Sequence, residues 1–190
     1  MTKFLRRWTT VGVAAVISTA GIGVALTGGP ASASDVVARA TLHNADREAI
    51  GEVVFKGKGK FATRVEVEID AARAPNLGSY HGFHIHTTGV CSGRAFGSAG
   101  GHWNPAGTGH GHHAGDLPSV LLTAGGTAYA EFDTDRFDVS ELFDADGSAV
   151  ILHVGADNFA NIPAVPYGGP NAATLRTGDA GDRYACGVIE

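Results

Sequence analysis

Histidines are crowded in this chain in a way that calls for a shared ligand. Seven of the nine lie between His81 and His113. Imidazoles packed so closely compete for protons unless a metal ion takes up their lone pairs. The stretch opens with G-F-H-I-H at 82–86 and closes with G-G-H-W-N-P-A-G-T-G-H-G-H-H-A-G-D at 100–116. One residue separates His84 from His86. With Phe83–His86 extended, both rings leave one face of a strand, about 6–7 Å apart at the backbone, while Phe83 and Ile85 pack on the other face.

Strands are the elements that must position these rings. The 28 glycines and scattered prolines oppose long helices. Runs rich in β-branched and apolar residues occur at Val36–Leu42, Ile50–Lys56, Phe61–Ile69, His81–His86, Ser119–Thr123, Thr127–Phe132, Ala149–Val154 and Tyr184–Ile189. The segment R-V-E-V-E-I-D at 64–70 alternates with the period of a half-exposed strand. Turns are expected at Asp46-Arg47, Lys56–Lys60, Ala74–Gly78 and Ala124–Gly126. Eight short strands with long loops predict an all-β, antiparallel Greek-key barrel or sandwich. The glycines of Gly57–Gly59 lack the strand–loop–helix setting of a phosphate loop and read as a hairpin turn. Asp133–Asp146 lacks the ligand spacing of a calcium loop and reads as a solvated loop.

Residues 1–33 read as an export signal, with a basic head (Lys3, Arg6, Arg7), an apolar run from Val11 to Leu26 and an A-x-A cleavage site at Ala31-Ser32-Ala33. The apolar run is short of the ~20 residues that span a bilayer, so no stable membrane insertion is expected after cleavage. Both the general and the twin-arginine export routes stay open. The remaining domain, 34–190, keeps 11 basic and 19 acidic side chains, a net charge of −8 with histidine neutral. Such a surface discourages nucleic-acid binding and repels small anions, so any cation near the site gains weight. The two cysteines, Cys91 and Cys186, are most simply one disulfide in an exported chain. Thiolate ligation of a metal is the alternative.

Four motifs in order resemble the copper/zinc superoxide dismutases, particularly the exported bacterial branch: G-F-H-I-H, G-G-H-W-N-P, H-A-G-D-L-P and G-D-A-G-D-R-Y-A-C-G-V-I. The likeness runs from about Val36 to Ile189. It implies the same barrel, with long metal-binding and active-site loops, and the Cys91–Cys186 pairing. It also implies copper on His84, His86, His102 and His153, the last brought in from across the barrel, and zinc on His102, His110, His113 and Asp116. His102 would then bridge both ions as an imidazolate. Four nitrogens suit a tetragonal cupric ion with an open face, and three imidazoles with one carboxylate make a closed zinc shell.

Asp157 matches the family's aspartate that accepts N–H bonds from one copper and one zinc histidine, here His84 and His110. The step from His110 to His113 is much shorter than in better-known members. His110 keeps the interval after His102 and is preferred to His112, which stays an alternative. His81 is expected to be a hydrogen-bonded core residue, and His43 a turn or surface residue.

The implied reaction is disproportionation of superoxide: one anion reduces the copper and leaves as oxygen, and a second reoxidises it and leaves as hydrogen peroxide. Catalytic roles fall to Arg183, which would attract the anion, and to His102, which could supply a proton. Val154–Asp182 would shape the approach, with Arg176 as a second basic residue. The resemblance is compatible with a monomer or a homodimer. A rival from another class is an exported copper- and zinc-sequestering protein without turnover, which would have no use for Arg183. A zinc hydrolase would need an open zinc position that a closed shell does not offer.

Overall fold

Alternation builds the first half of the fold. The computed structural model describes residues 37–59 and 62–190; the segment read as an export signal lies outside the described residues. In β1 (Val37–Asn44) every second residue is buried, so Ala38, Ala40 and Leu42 face the core. The same period governs β3 (Thr63–Asp70), where Val65, Val67 and Ile69 point inward. Between them, β2 (Ala49–Gly57) contributes Val53 and Phe55, and β6 (Thr127–Thr134) flanks β3.

The second half breaks that rule in a useful way. In β4 (Ser79–His86) all residues from His81 onward are buried, and β7 (Ala149–His153) is buried throughout. Phe83, Ile85, Val150 and Leu152 belong to the barrel core. Ile151 and Ala149 instead join Phe96, Ala99 and Cys186 in a smaller cluster on the outer face. Long loops therefore cover these two strands from outside, and a strand can carry core residues on one face and ligands on the other. Full burial of a side chain the size of Phe83 or Leu152 contributes about 1.5–3 kcal/mol.

With β5 (Asp116–Leu122) and β8 (Arg183–Val188), the sheet runs β5-β4-β7-β8-β1-β2-β3-β6, each neighbour antiparallel. Its two edge strands are joined by the turn Thr123–Gly126, closed by the Gly126 N–H to the Thr123 carbonyl. The barrel is thus nearly closed, and the β3–β4 and β6–β7 connections make the Greek-key crossings. All eight expected strands are present with shifted ends; the expected start of the third, Phe61, lies outside the described residues.

Two expectations need correction. His153 does not reach the site from across the barrel, because β7 is hydrogen-bonded directly to β4, with His84 opposite Ile151 and His86 opposite Ala149. The residues after β6 are not simply a solvated loop. Phe137, Val139 and Leu142 are buried, the last two in a 3-10 helix over Val139–Phe143. Three apolar side chains interleaved with acids close one end of the barrel. Phe137 packs edge-on against Trp103 at a centroid distance of 5.8 Å and lies 6.4 Å from Phe55.

Candidate metal centre

Strand register assembles the site. Around β4, His84 lies opposite Asp116 of β5 and Ile151 of β7, and His86 forms an isolated bridge with His102. On β7, His153 is in register with Arg183 of β8. Gly82 sits at the β4 irregularity, where a Cβ would lie 2.6 Å from that of Ala180, so only glycine lets the covering loop descend onto the histidines.

Two clusters share one residue. His84, His86, His102 and His153 form the first, and His102, His110, His113 and Asp116 the second, with candidate ligand atoms within 4.8 Å of one another in each. Both expected sets are therefore brought together. All but His102 are buried, and His102 is half-buried. In the short step from His110 to His113, His110 is inside at 2% exposure, whereas His112 faces solvent.

The ring nitrogens test whether cations fit. His84 Nε2 faces Asp157 Oδ2 at 2.7 Å, His86 Nδ1 faces the Gly100 carbonyl at 3.0 Å, and His153 Nδ1 faces the Gly181 carbonyl at 3.0 Å. His110 Nε2 faces Asp157 Oδ1 at 2.8 Å. In the first cluster each outer partner is an acceptor, so the outer nitrogens of His84, His86 and His153 carry the proton and the inner ones present a bare lone pair. Those inner atoms, His84 Nδ1, His86 Nε2 and His153 Nε2, are buried without any hydrogen-bond partner among the described residues. In the second cluster, His102 Nδ1, His113 Nδ1 and His110 Nδ1 surround one oxygen, Asp116 Oδ1, at 3.0, 3.1 and 3.2 Å. Converging lone pairs in the first cluster, and three ring nitrogens gathered on one carboxylate oxygen in the second, are arrangements that a cation satisfies by taking the place of shared protons, so the residues fit a nitrogen-rich site and a second, carboxylate-capped site.

Asp157 spans the two clusters, its side chain fully buried, and accepts from His84 and His110 as expected. Gly178 makes this possible. Its φ is +60°, and a Cβ there would overlap both Asp157 Oδ1 and His110 Nε2. His81 is a core histidine with Nδ1 2.7 Å from the His153 carbonyl and Nε2 3.3 Å from the Asn76 carbonyl. His43 is exposed on β1, and Arg176 is exposed on the helical turn Thr174–Thr177. Cys91 and Cys186 are joined, closing 95 sequence positions. A cross-link over that span stabilises by about 4–5 kcal/mol in the chain-entropy model. It also ties the loop after β4 to β8, the strand of Arg183. The Arg183 guanidinium donates to the Phe96 and Gly100 carbonyls, each at 2.6 Å, and Gly100 is the acceptor for His86 as well. Sequence reasoning missed these carbonyl anchors, Gly178, and Arg136, which donates to three carbonyls of the 111–116 loop. The one available signal for Arg136 was its place as a lone cation among acids in D-T-D-R-F-D.

Protonation of the metal-free centre has two opposed directions. Burial, helped by neighbouring imidazoles, lowers His84 to about 4 and His153 to about 3, and pushes His86 well below 6.5. Burial also opposes the charge on His110, yet hydrogen bonds to Asp116 and Asp157 outweigh it and raise the ring to about 9. Burial works against both carboxylates, but hydrogen bonds from His102 and His110 to Asp116, and from His110 and His84 to Asp157, hold them well below the ordinary range. Below about pH 6.5 the unfolded chain takes protons that folded His84, His86 and His153 refuse, so stability falls with pH. The His110 proton stabilises the fold fully below about 6.5, and that contribution is lost as pH rises through about 9. Thermal melts of chelator-stripped protein between pH 4.5 and 9 are expected to peak near 6.5 and fall on both sides. A midpoint flat across that range would contradict these assignments.

The fold and site define a class: an antiparallel barrel carrying two adjacent clusters of candidate metal ligands that share an imidazole. The family model for copper/zinc superoxide dismutase (SODC) matches residues 49–189. A superoxide dismutase (Cu-Zn) of Mycolicibacterium paratuberculosis is 37% identical over 176 residues, 84% of this chain and 76% of that protein. One from Mycobacterium tuberculosis is 41% identical over 126 residues, 58% of this chain and 52% of that protein. Among solved structures, a SOD-like protein from Bacillus subtilis has a TM-score of 0.63 at 27% identity, covering 78% of this chain and 95% of its own. The clock protein EA4 has a TM-score of 0.67 at 29% identity, covering 86% and 98%. The chain belongs to the copper/zinc superoxide dismutase family, whose cofactors are copper and zinc. Its matches span about half the length of the two mycobacterial relatives at 41% identity.

Proposed function

We propose that this protein is an exported superoxide dismutase, with copper on His84, His86, His102 and His153 and zinc on His102, His110, His113 and Asp116. The observation that carries the reading is the set of three buried, unpartnered ring nitrogens, His84 Nδ1, His86 Nε2 and His153 Nε2, aimed into the four-histidine cluster. Copper bound there supplies the one-electron couple that oxidises one superoxide to oxygen and reduces another to peroxide.

The chain's residues do the rest. Asp157 and the Gly100 and Gly181 carbonyls keep each outer ring N–H occupied, which fixes tautomer and ring direction. Arg183, half-buried and in register with His153, presents a permanent positive charge to a small anion. His102, the one ring shared by the two clusters, is the group best placed to hand a proton to departing peroxide.

Export of the 34–190 domain is supported by the basic, apolar and A-x-A order of residues 1–33 and by the Cys91–Cys186 disulfide, which persists in oxidising compartments. Among the described residues no helix is long and apolar enough to cross a membrane.

A metal-sequestering protein without turnover is the second reading, favoured by the likeness to a protein called only SOD-like. The test is His153→Ala. Under the dismutase reading this variant retains zinc, loses copper from the four-histidine site and loses superoxide turnover, while the unaltered protein turns over superoxide until a copper chelator is added. Full copper and zinc loading of the unaltered protein with no turnover would leave only sequestration.

A further inference from the structure

The 111–116 loop lies between two opposite charges. On its inner side, the backbone N–H groups of Gly111 and His113 donate to Asp116 Oδ2 at 2.7 and 3.0 Å. On its outer side, the Arg136 guanidinium donates to the carbonyls of Gly111, His113 and Asp116 at 3.0, 3.0 and 2.9 Å. Peptide dipoles thus run from the carboxylate to the guanidinium, and each charge holds them in the same orientation. Few bonds within the loop could do this. His112 N–H to the Gly109 carbonyl and Asp116 N–H to the His113 carbonyl are single-turn contacts, and only two residues separate His110 from His113.

Arg136 is itself anchored. Its neighbour Phe137 is buried against Trp103, the residue after His102, and the Phe137 carbonyl accepts from the buried Thr63 hydroxyl at 2.9 Å. The connection after β6 therefore supports the second cluster twice, through Phe137 under His102-Trp103 and through Arg136 over His113 and Asp116.

We infer that Arg136 is a positioning residue for the zinc half of the centre, clamping the shortened loop so that His110, His113 and Asp116 hold ligating geometry. This rests on the reading of those residues as zinc ligands. A planar fork with several donors can bridge three carbonyls, whereas a lysine ammonium acts as a point charge. Arg136 is exposed overall, so substitution opens no core cavity.

The test compares the unaltered protein with Arg136→Gln and Arg136→Lys by zinc competition against a chromophoric chelator and by the visible spectrum of cobalt(II) in the zinc site. Loss of one outer support of a metal site typically weakens binding about 10–100-fold. Arg136→Gln is expected to lose zinc affinity in that range and to lose the intense tetrahedral cobalt bands. Arg136→Lys is expected to fall between. Copper affinity at the four-histidine site and the melting midpoint of the metal-free protein should stay close to the unaltered values, which separates positioning from a general stability loss. Zinc affinity and cobalt spectra equal to the unaltered protein in both variants would overturn the inference while leaving the zinc ligands in place. Failure of the unaltered protein to take up zinc or cobalt would remove both.

Discussion

Replacing Arg183 with glutamate is expected to slow superoxide loss at low ionic strength by about 10- to 1,000-fold, the range over which local charge alters the capture of a charged substrate. Both metals should remain bound, because among the described residues the Arg183 side chain bonds to the Phe96 and Gly100 carbonyls and to no ring nitrogen. The expected size follows from contrast. Residues 34–190 carry a net charge of −8, so the approaching anion meets repulsion from most directions. Burial lowers the Arg183 pKa from its ordinary value, yet a guanidinium stays charged wherever the protein is folded. Glutamate would place a negative charge beside the Phe96 carbonyl, left without the Arg183 donor, and the Gly100 carbonyl, which keeps only His86, and the entrance would change sign. Salt dependence is the diagnostic. Raising ionic strength should slow the unaltered protein and spare or even speed the variant, since screening removes attraction in one and repulsion in the other. Equal rates for the two at low salt would remove the steering role.

Asp157→Asn carries the second large effect. The carboxylate accepts from His84 Nε2 at 2.7 Å, from His110 Nε2 at 2.8 Å and from the Phe159 N–H at 2.7 Å. It is one anion joining a ring of each half-site. An amide of the same shape has one acceptor oxygen and a donating nitrogen, so it can serve one imidazole but confronts the other N–H with its own. One ring must turn or change tautomer, and its inner lone pair is then misdirected. Loss of such a partner typically costs about 10–100-fold in affinity. Zinc and copper competition titrations are expected to show that loss at one site or both. Unchanged affinities at both would mean that the Asp157 bonds do not orient the ligands.

Much of this was legible because it is local. Alternation in R-V-E-V-E-I-D marks β3 without knowledge of its neighbours, and H-I-H puts two imidazoles on one face wherever the strand lies. The eight strands and both clusters followed from such signals together with the motifs shared with the family. What stayed hidden is non-local. Every residue offers a carbonyl, so nothing in the chain marks Gly100 as the acceptor shared by His86 and Arg183. Arg136 sits 20 residues beyond Asp116, in a segment whose acids suggested solvent while Phe137, Val139 and Leu142 were turning inward. The choice between His110 and His112 was a question of burial in a tight loop with Gly111 at φ +87°, which spacing alone does not decide.

The most direct test follows superoxide decay by stopped-flow while the zinc-loaded protein is titrated with copper. The rate should rise in proportion to bound copper, level off when the four-histidine site is full, and return to the uncatalysed rate on chelation. His153→Ala, titrated alongside, should stay at the uncatalysed rate throughout. Copper filling the four-histidine site of the unaltered protein while superoxide decays no faster than in buffer would contradict the account.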